Sequence, residues 1–334
     1  MISISCADYA FPLLPREQRF ALLRLLGFEY VDIGLFERSN GLRPGQLLAA
    51  PKKFGRQLKR DLIHAGLRAA DVFLQTGLSV ADSAENVPSL IVRSRNRKTF
   101  LLTLELCAEL ECTHITGLPG IEQKGIDEKE SFDLAVEEVC WRHHVASSSG
   151  ICYAILPHIS SICSSMAKVR SLLDVVPGLT LTLDYGQFVS QKISSRETHS
   201  LLPFASHIHA RGGAPHRVQA PVGESQIDFA GMVARLHKIG YKGFLAIEYL
   251  RDAWMQRNQT DNLSETILLR NRLAEYLQSA EAMGVEGQER ASSVFLRDAR
   301  PQPASLAKWE SRLSMNRVET ERADHPVEPQ PRSE

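Results

Sequence analysis

From residue 2 to residue 282 the chain alternates strand-like runs with amphipathic helical runs, eight times in one pass. Few architectures accept that pattern. Strands separated by helices pair in parallel, and eight such units favour closure into a (β/α)8 barrel. The strand-like runs are residues 2–6, 30–34, 67–74, 113–117, 151–158, 179–184, 206–209 and 244–248. Between them the helical signals are those of ordinary barrel helices. Residues 17–26 stop at Gly27, and residues 51–65 stop at Gly66, both good C-cap positions. A long helix is expected over residues 84–110, strongest where Leu101, Leu104 and Ala108 share a face. Asp127, with Glu130 three residues on, caps a helix whose stripe is Phe132, Ala135, Val136, Val139 and Cys140. Residues 165–176 follow as the next helix. Asp228 then caps one carrying Phe229, Met232, Val233 and Leu236, and residues 263–282 form the last.

A barrel of this kind fills residues 1–285 as a single domain, leaving 286–334 as a C-terminal extension. From about residue 297 Pro, Ser, Glu and Arg dominate and apolar periodicity ends, so a disordered tail is expected there. Lys+Arg and Asp+Glu balance at 39 each, so no global field draws the chain to nucleic acid or to an anionic membrane. No apolar run approaches the ~18–20 residues of a membrane span, and no basic-then-apolar leader opens the chain. The six cysteines form no CxxC pair, and several fall in phase with apolar positions. Reduced thiols in a soluble cytoplasmic protein are the expectation, compatible with a homo-oligomer.

Three strand-like runs end in a group able to hold a metal: Asp184, His209 and Glu248. In the first run Leu179, Leu181 and Leu183 face one way, while Thr180, Thr182 and Asp184 face the other. A bulky outer face and a small, polar inner face suit a barrel strand covered by helices. One imidazole and two carboxylates at neighbouring strand exits form a mixed N/O set suited to Mn²⁺, Mg²⁺ or Zn²⁺. His207 lies two residues before His209, on the same strand face.

Across residues 1–282 the chain resembles the xylose isomerase-like TIM barrels, which include sugar-phosphate isomerases and epimerases. The resemblance is most specific in residues 177–187 (PGLTLTLDYGQ), 207–211 (HIHAR) and 240–248 (GYKGFLAIE), with 222–229 (VGESQIDF) like the loop before the family's seventh helix. It implies one divalent metal held by Glu, Asp, His and Glu from strands five to eight, the last three being Asp184, His209 and Glu248. It further implies a sugar or sugar phosphate as substrate. The metal polarises the carbonyl, and carboxylates such as Glu248 move the proton through an enediolate.

The first ligand does not carry over. Where the family has glutamate before Pro-His, this chain reads Ile155-Leu156-Pro157-His158, and phase turns Leu156 inward. Gln187 stands where the family's Asp-x-x-His motif has histidine. His158 is the candidate substitute base, and His207, Arg211, Arg217 and Gln187 are candidate substrate contacts. Glu224 is expected as a solvated loop carboxylate, and His114, His143 and His144 as structural or solvated. Two readings follow: an isomerase/epimerase with an incomplete metal set, or a catalytically degenerate barrel that binds a sugar-like ligand or a protein partner. An apurinic endonuclease of the same fold ranks last, since neither its richer His/Asp/Glu set nor a basic DNA face is visible.

Overall fold

The structure is a computed structural model, and it describes residues 1–37 and 41–288. Within them Met1–Val285 forms one compact unit. The expected tail from residue 297 lies outside the described residues.

Eight parallel strands pair in sequence order and close on themselves: β1 (Ser3–Ala7), β2 (Tyr30–Phe36), β3 (Arg68–Gln75), β4 (His114–Gly117), β5 (Cys152–Ile155), β6 (Thr180–Asp184), β7 (Ala205–Ala210) and β8 (Phe244–Ile247). Closure is made by β1 on β8, with Ser3 opposite Phe244 and Cys6 opposite Ile247. Helices α1 (Arg16–Leu25), α2 (Pro44–Ala49), α3 (Pro51–Ala65), α4 (Leu90–Leu110), α5 (Glu128–Ser148) and α6 (Met166–Val175) fill the first connections. The rest are α7 (Tyr185–Val189), α8 (Ser195–Thr198), α9 (Phe229–Lys238) and α10 (Asn262–Gln288). Among the described residues no helix is long and apolar enough to cross a membrane. None of the six cysteines is in a disulfide.

Local signals set most boundaries. Gly66 ends α3 in the left-handed conformation, at φ +69°. Asp127 accepts the Glu130 amide at the start of α5, and Asp228 accepts the Gly231 amide at the start of α9. Two expectations need correction. The helix predicted from residue 84 begins at Leu90, because Ser89 caps it after Pro88 and residues 84–87 form turns. Its inward face is also different. Leu101 is 45% exposed, whereas Phe100, Thr103, Leu104 and Cys107 are buried. The fifth strand ends at Ile155 rather than at residue 158, which places Leu156, Pro157 and His158 in the loop above the barrel.

The layer between sheet and helices is mainly apolar, with a buried charged cluster at Glu85, Glu138 and Arg142, whereas the barrel interior is polar. Tyr153 on β5 packs edge-on against Phe100 of α4, so it faces the helices. Alternation therefore turns Cys152, Ala154 and, by extension, Leu156 toward the axis. The same rule brings Asp32, Asp71, Thr116, Thr182 and His207 inside, all fully buried.

Candidate active site at the barrel mouth

Polar residues inside the barrel lie at three levels. At the N-terminal level the first residues of β4 and β6 and the second of β7 form a directed relay. His114 Nδ1 donates to Asp71 Oδ1 at 2.7 Å, and its Nε2 lies 2.8 Å from Ser206 Oγ. Ser206 donates to Thr180 Oγ1 at 2.8 Å, and Thr180 to the Tyr153 carbonyl at 3.1 Å. Burial disfavours a charged His114, but its bonds to Asp71 and Cys152 outweigh burial and raise its pKa to about 10. Asp, His and Ser in this order have the parts of a hydrolase triad with the polarity reversed. A protonated His114 donates to Ser206 and cannot take its proton. This level is structural, as the N-terminal end of such a barrel usually is.

At the middle level Asp32 accepts from Ser5 at 2.8 Å and from His207 Nε2 at 2.7 Å. Burial would raise the Asp32 pKa, but His207 and then His209 outweigh it and the value is lowered. The His207 ring stacks on His114 at 5.1 Å between centroids. Asp32, Asp71, His207 and His209 each offer one ligand atom within 4.8 Å of the others. Asp71 Oδ2, His207 Nδ1 and both His209 nitrogens have no hydrogen-bond partner. Two carboxylates and two imidazoles so disposed suit a divalent ion by donor chemistry.

The C-terminal mouth holds Asp184 at the end of β6, His209 and Arg211 at the end of β7, and Glu248 just past β8, all buried. Arg211 bridges the two carboxylates. Nη2 pairs with Asp184 Oδ2, and Nη1 lies 3.1 Å from Glu248 Oε2. Burial opposes the Arg211 charge, and Asp184 and Glu248 outweigh it and hold the guanidinium protonated. Asp184 Oδ1 accepts the Gly186 amide at 2.8 Å, and its Oδ2 also accepts Gln187 Nε2 at 3.3 Å. His209 Nδ1 is 3.4 Å from Glu248 Oε1. As arranged, Asp184, His209 and Glu248 do not fit a divalent ion. Arg211 hydrogen-bonds one oxygen of Asp184 and sits in ion-pair contact with one of Glu248, and Leu156, just past β5, brings no donor atom.

The remaining candidates are scattered in role. His158, 7% exposed, accepts the Ser160 amide at Nδ1, while its Nε2 has no hydrogen-bond partner. Burial, then the charge of Arg257, lowers its pKa to about 4 against a weaker opposing pull from Asp184. Gln187 joins the β6 and β5 loops, its Oε1 accepting the Ile159 amide at 3.2 Å. His207 sits below the mouth, bonded to Asp32. Arg217 is about half exposed and ion-paired with Glu224 on the surface. Sequence reasoning missed the partnerships of Asp32 and Asp71. It also missed Tyr9, whose buried hydroxyl has no hydrogen-bond partner and whose ring packs edge-on against Phe36 and Phe73. Phe73 in turn lies 5.7 Å from the His209 ring. The only early signal among these is that Asp32 alternates with apolar Val31 and Ile33.

The family model for xylose isomerase-like TIM barrels matches residues 20–273. The chain belongs to that family. A solved L-ribulose 3-epimerase shares 16% identity at a TM-score of 0.67, the match covering 91% of this chain and 100% of the other. A D-psicose 3-epimerase from Clostridium cellulolyticum H10, solved with D-tagatose, shares 15% identity at 0.65, over 83% and 99% of the two chains. A xylose isomerase-like barrel from Mycobacterium smegmatis, solved with magnesium, shares 17% at 0.65, over 84% and 98%. At such identities the likeness establishes the fold. No curated protein matches the chain.

Proposed function

We propose that this chain is a sugar or sugar-phosphate isomerase/epimerase that moves a proton next to a carbonyl through an enediolate. One observation carries the reading: Asp184, His209, Arg211 and Glu248 converge, buried, at the C-terminal ends of consecutive strands. That is where barrels of this type place their chemistry. His158 and Glu248 are the proton-transfer groups in this scheme. Neutral His158, with Nδ1 accepting the Ser160 amide, carries its proton on Nε2 and can give it to a substrate oxygen, while the Glu248 carboxylate takes the proton next to the carbonyl. Gln187 fixes the loop that carries His158. A divalent ion, Mn²⁺ before Mg²⁺ or Zn²⁺, belongs to this reading at Asp32, Asp71, His207 and His209. There it would supply positive charge beneath the substrate. A cytoplasmic setting, with no nucleic-acid or membrane partner, completes it.

A second reading is favoured by Leu156 alone. A barrel whose fifth strand supplies no carboxylate could bind a sugar-like ligand without turning it over.

Solvent exchange separates the two. A panel of ketoses, cyclic polyol ketones and their phosphates, incubated in D₂O, is followed by NMR for replacement of the hydrogen next to the carbonyl. The incubations are run with Mn²⁺, with Mg²⁺ and after chelation. The enzyme reading expects exchange with at least one compound, falling ~100-fold or more in Glu248→Gln and His158→Gln. Saturable binding of a panel member without exchange in any condition would leave the second reading standing instead.

A further inference from the structure

We propose that the guanidinium of Arg211 is the built-in cation of the mouth, taking the position and the electrostatic task of a divalent ion. The chemical use of this cation rests on the isomerase/epimerase reading; its identity does not.

The coordination of Asp184 is the first argument. Its Oδ1 accepts the Gly186 amide, and its Oδ2 accepts both Arg211 Nη2 and Gln187 Nε2. The Gln187 amide cannot turn its oxygen that way, because Oε1 already accepts from Ile159. Oδ2 thus has both lone pairs taken by donors, whereas a metal ligand needs one left open toward the ion.

Charge is the second. Two buried carboxylates face one guanidinium, and Arg211 is itself only 2% exposed. A carboxylate at position 156 would add a third buried negative charge to the two that Arg211, with Arg257 nearby, already balances. A divalent ion would call for such a residue, whereas a guanidinium is better served by the leucine that is present. Leu156 and Arg211 thus fit one design.

Geometry is the third. Arg211 lies one residue past β7, and its fork reaches Asp184 from β6 on one side and Glu248 from β8 on the other. The planar, five-donor group matches two carboxylates held apart in this way, and it stays charged at any working pH. Nη1 meets Glu248 as an ion pair without a hydrogen bond, and Arg211 Nε is buried with no hydrogen-bond partner. Its N–H remains available to the carbonyl oxygen of an α-hydroxy ketone, and to the enediolate oxygen that forms from it.

The test uses the full chain and Mn²⁺ alone, so an empty substrate screen leaves it valid. Mn²⁺ bound to the metal-stripped protein is measured by electron paramagnetic resonance, with circular dichroism confirming folding. The mouth is expected to contribute no site. Asp184→Asn and Glu248→Gln should leave the Mn²⁺ stoichiometry of the wild type unchanged, whatever the middle-level cluster binds. The double variant Leu156→Glu/Arg211→Met should gain one further equivalent, lost again when Asp184→Asn is added. Should the double variant not fold, Leu156→Glu alone against wild type serves, with Arg211 expected to hold its site and exclude the ion. One equivalent bound by the wild type and lost in Asp184→Asn would overturn the proposal. So would a folded double variant that gains nothing, or a Leu156→Glu single variant that binds the ion.

Discussion

His158 stands in an environment unlike that of an ordinary histidine. Burial and the nearby Arg257 charge lower its pKa to about 4, so it stays neutral through the physiological range. The neutral form, which presents its Nε2–H to a substrate oxygen, is lost only as pH falls through that value. The acid limb of kcat/KM is therefore expected near pH 4 rather than near the ~6.5 of a free histidine. A limb near 6.5 in a pH–rate profile, unchanged in His158→Gln, would assign the proton donor elsewhere. The sequence indicated that His158 stands near the mouth, but not this shift, which depends on how the β5 and β6 loops close over the ring. Asp71 was hidden for a related reason. It sits in a run read only as a strand, and its partner His114 arrives from β4. A residue's role in a closed barrel depends on strands that do not yet exist when its neighbours are read.

The helix layer behind the barrel carries its own titration. Glu85, just before α4, lies 3.6 Å from Arg142 of α5, and both side chains are buried. Burial outweighs the pull of Arg142 and raises the Glu85 pKa from 4.5 to about 7. The folded state therefore keeps a proton that the unfolded chain gives up. Stability is greatest below the unfolded value and falls as pH rises toward 7, by about 3 kcal/mol at most. Glu85→Gln removes the ionisation, so its melting temperature should match wild type at pH 5 and exceed it at pH 8. Equal temperatures at both pH values would show that Glu85 ionises freely. Element positions were largely legible because each depends on short-range chemistry: the caps at Asp127, Ser165 and Asp228, and the left-handed glycine at 66. The start of α4 was not, because residues 84–87 carry helix-compatible side chains while packing against Asn96 and the β4 loop holds them in turns. There Asn96 donates to the carbonyls of Ser83 and Ala84, and Asn86 donates to that of Ile121.

At the scale of the molecule, the closed barrel and its covering helices follow from the alternation of segments, and that part of the fold was readable from the start. The polar interior was readable only in outline. Inward phase marked Asp184, and a shared strand face joined His207 to His209, but the division into levels, and the position of Arg211 between two carboxylates, needed the closed structure. The hydrogen bond between Asp32 and His207 also has a consequence in time. It spans 175 residues of chain, and the strands it joins meet only when β8 seals against β1. During synthesis Asp32 emerges early and has no imidazole to face until most of the barrel has left the ribosome, whereas Asp71 can meet His114 after 43 residues. At the common pace of ~5–20 residues per second, that wait lasts on the order of ten seconds or more. A nascent half-barrel would have to bury an unpaired carboxylate, which it will avoid by staying open. A chain ended at residue 176 is accordingly expected to give no cooperative thermal transition by circular dichroism, and Asp32→Asn in that shortened chain to lessen its exposure to protease. A sharp melt of the unaltered half would mean that the first strands settle without waiting for the last.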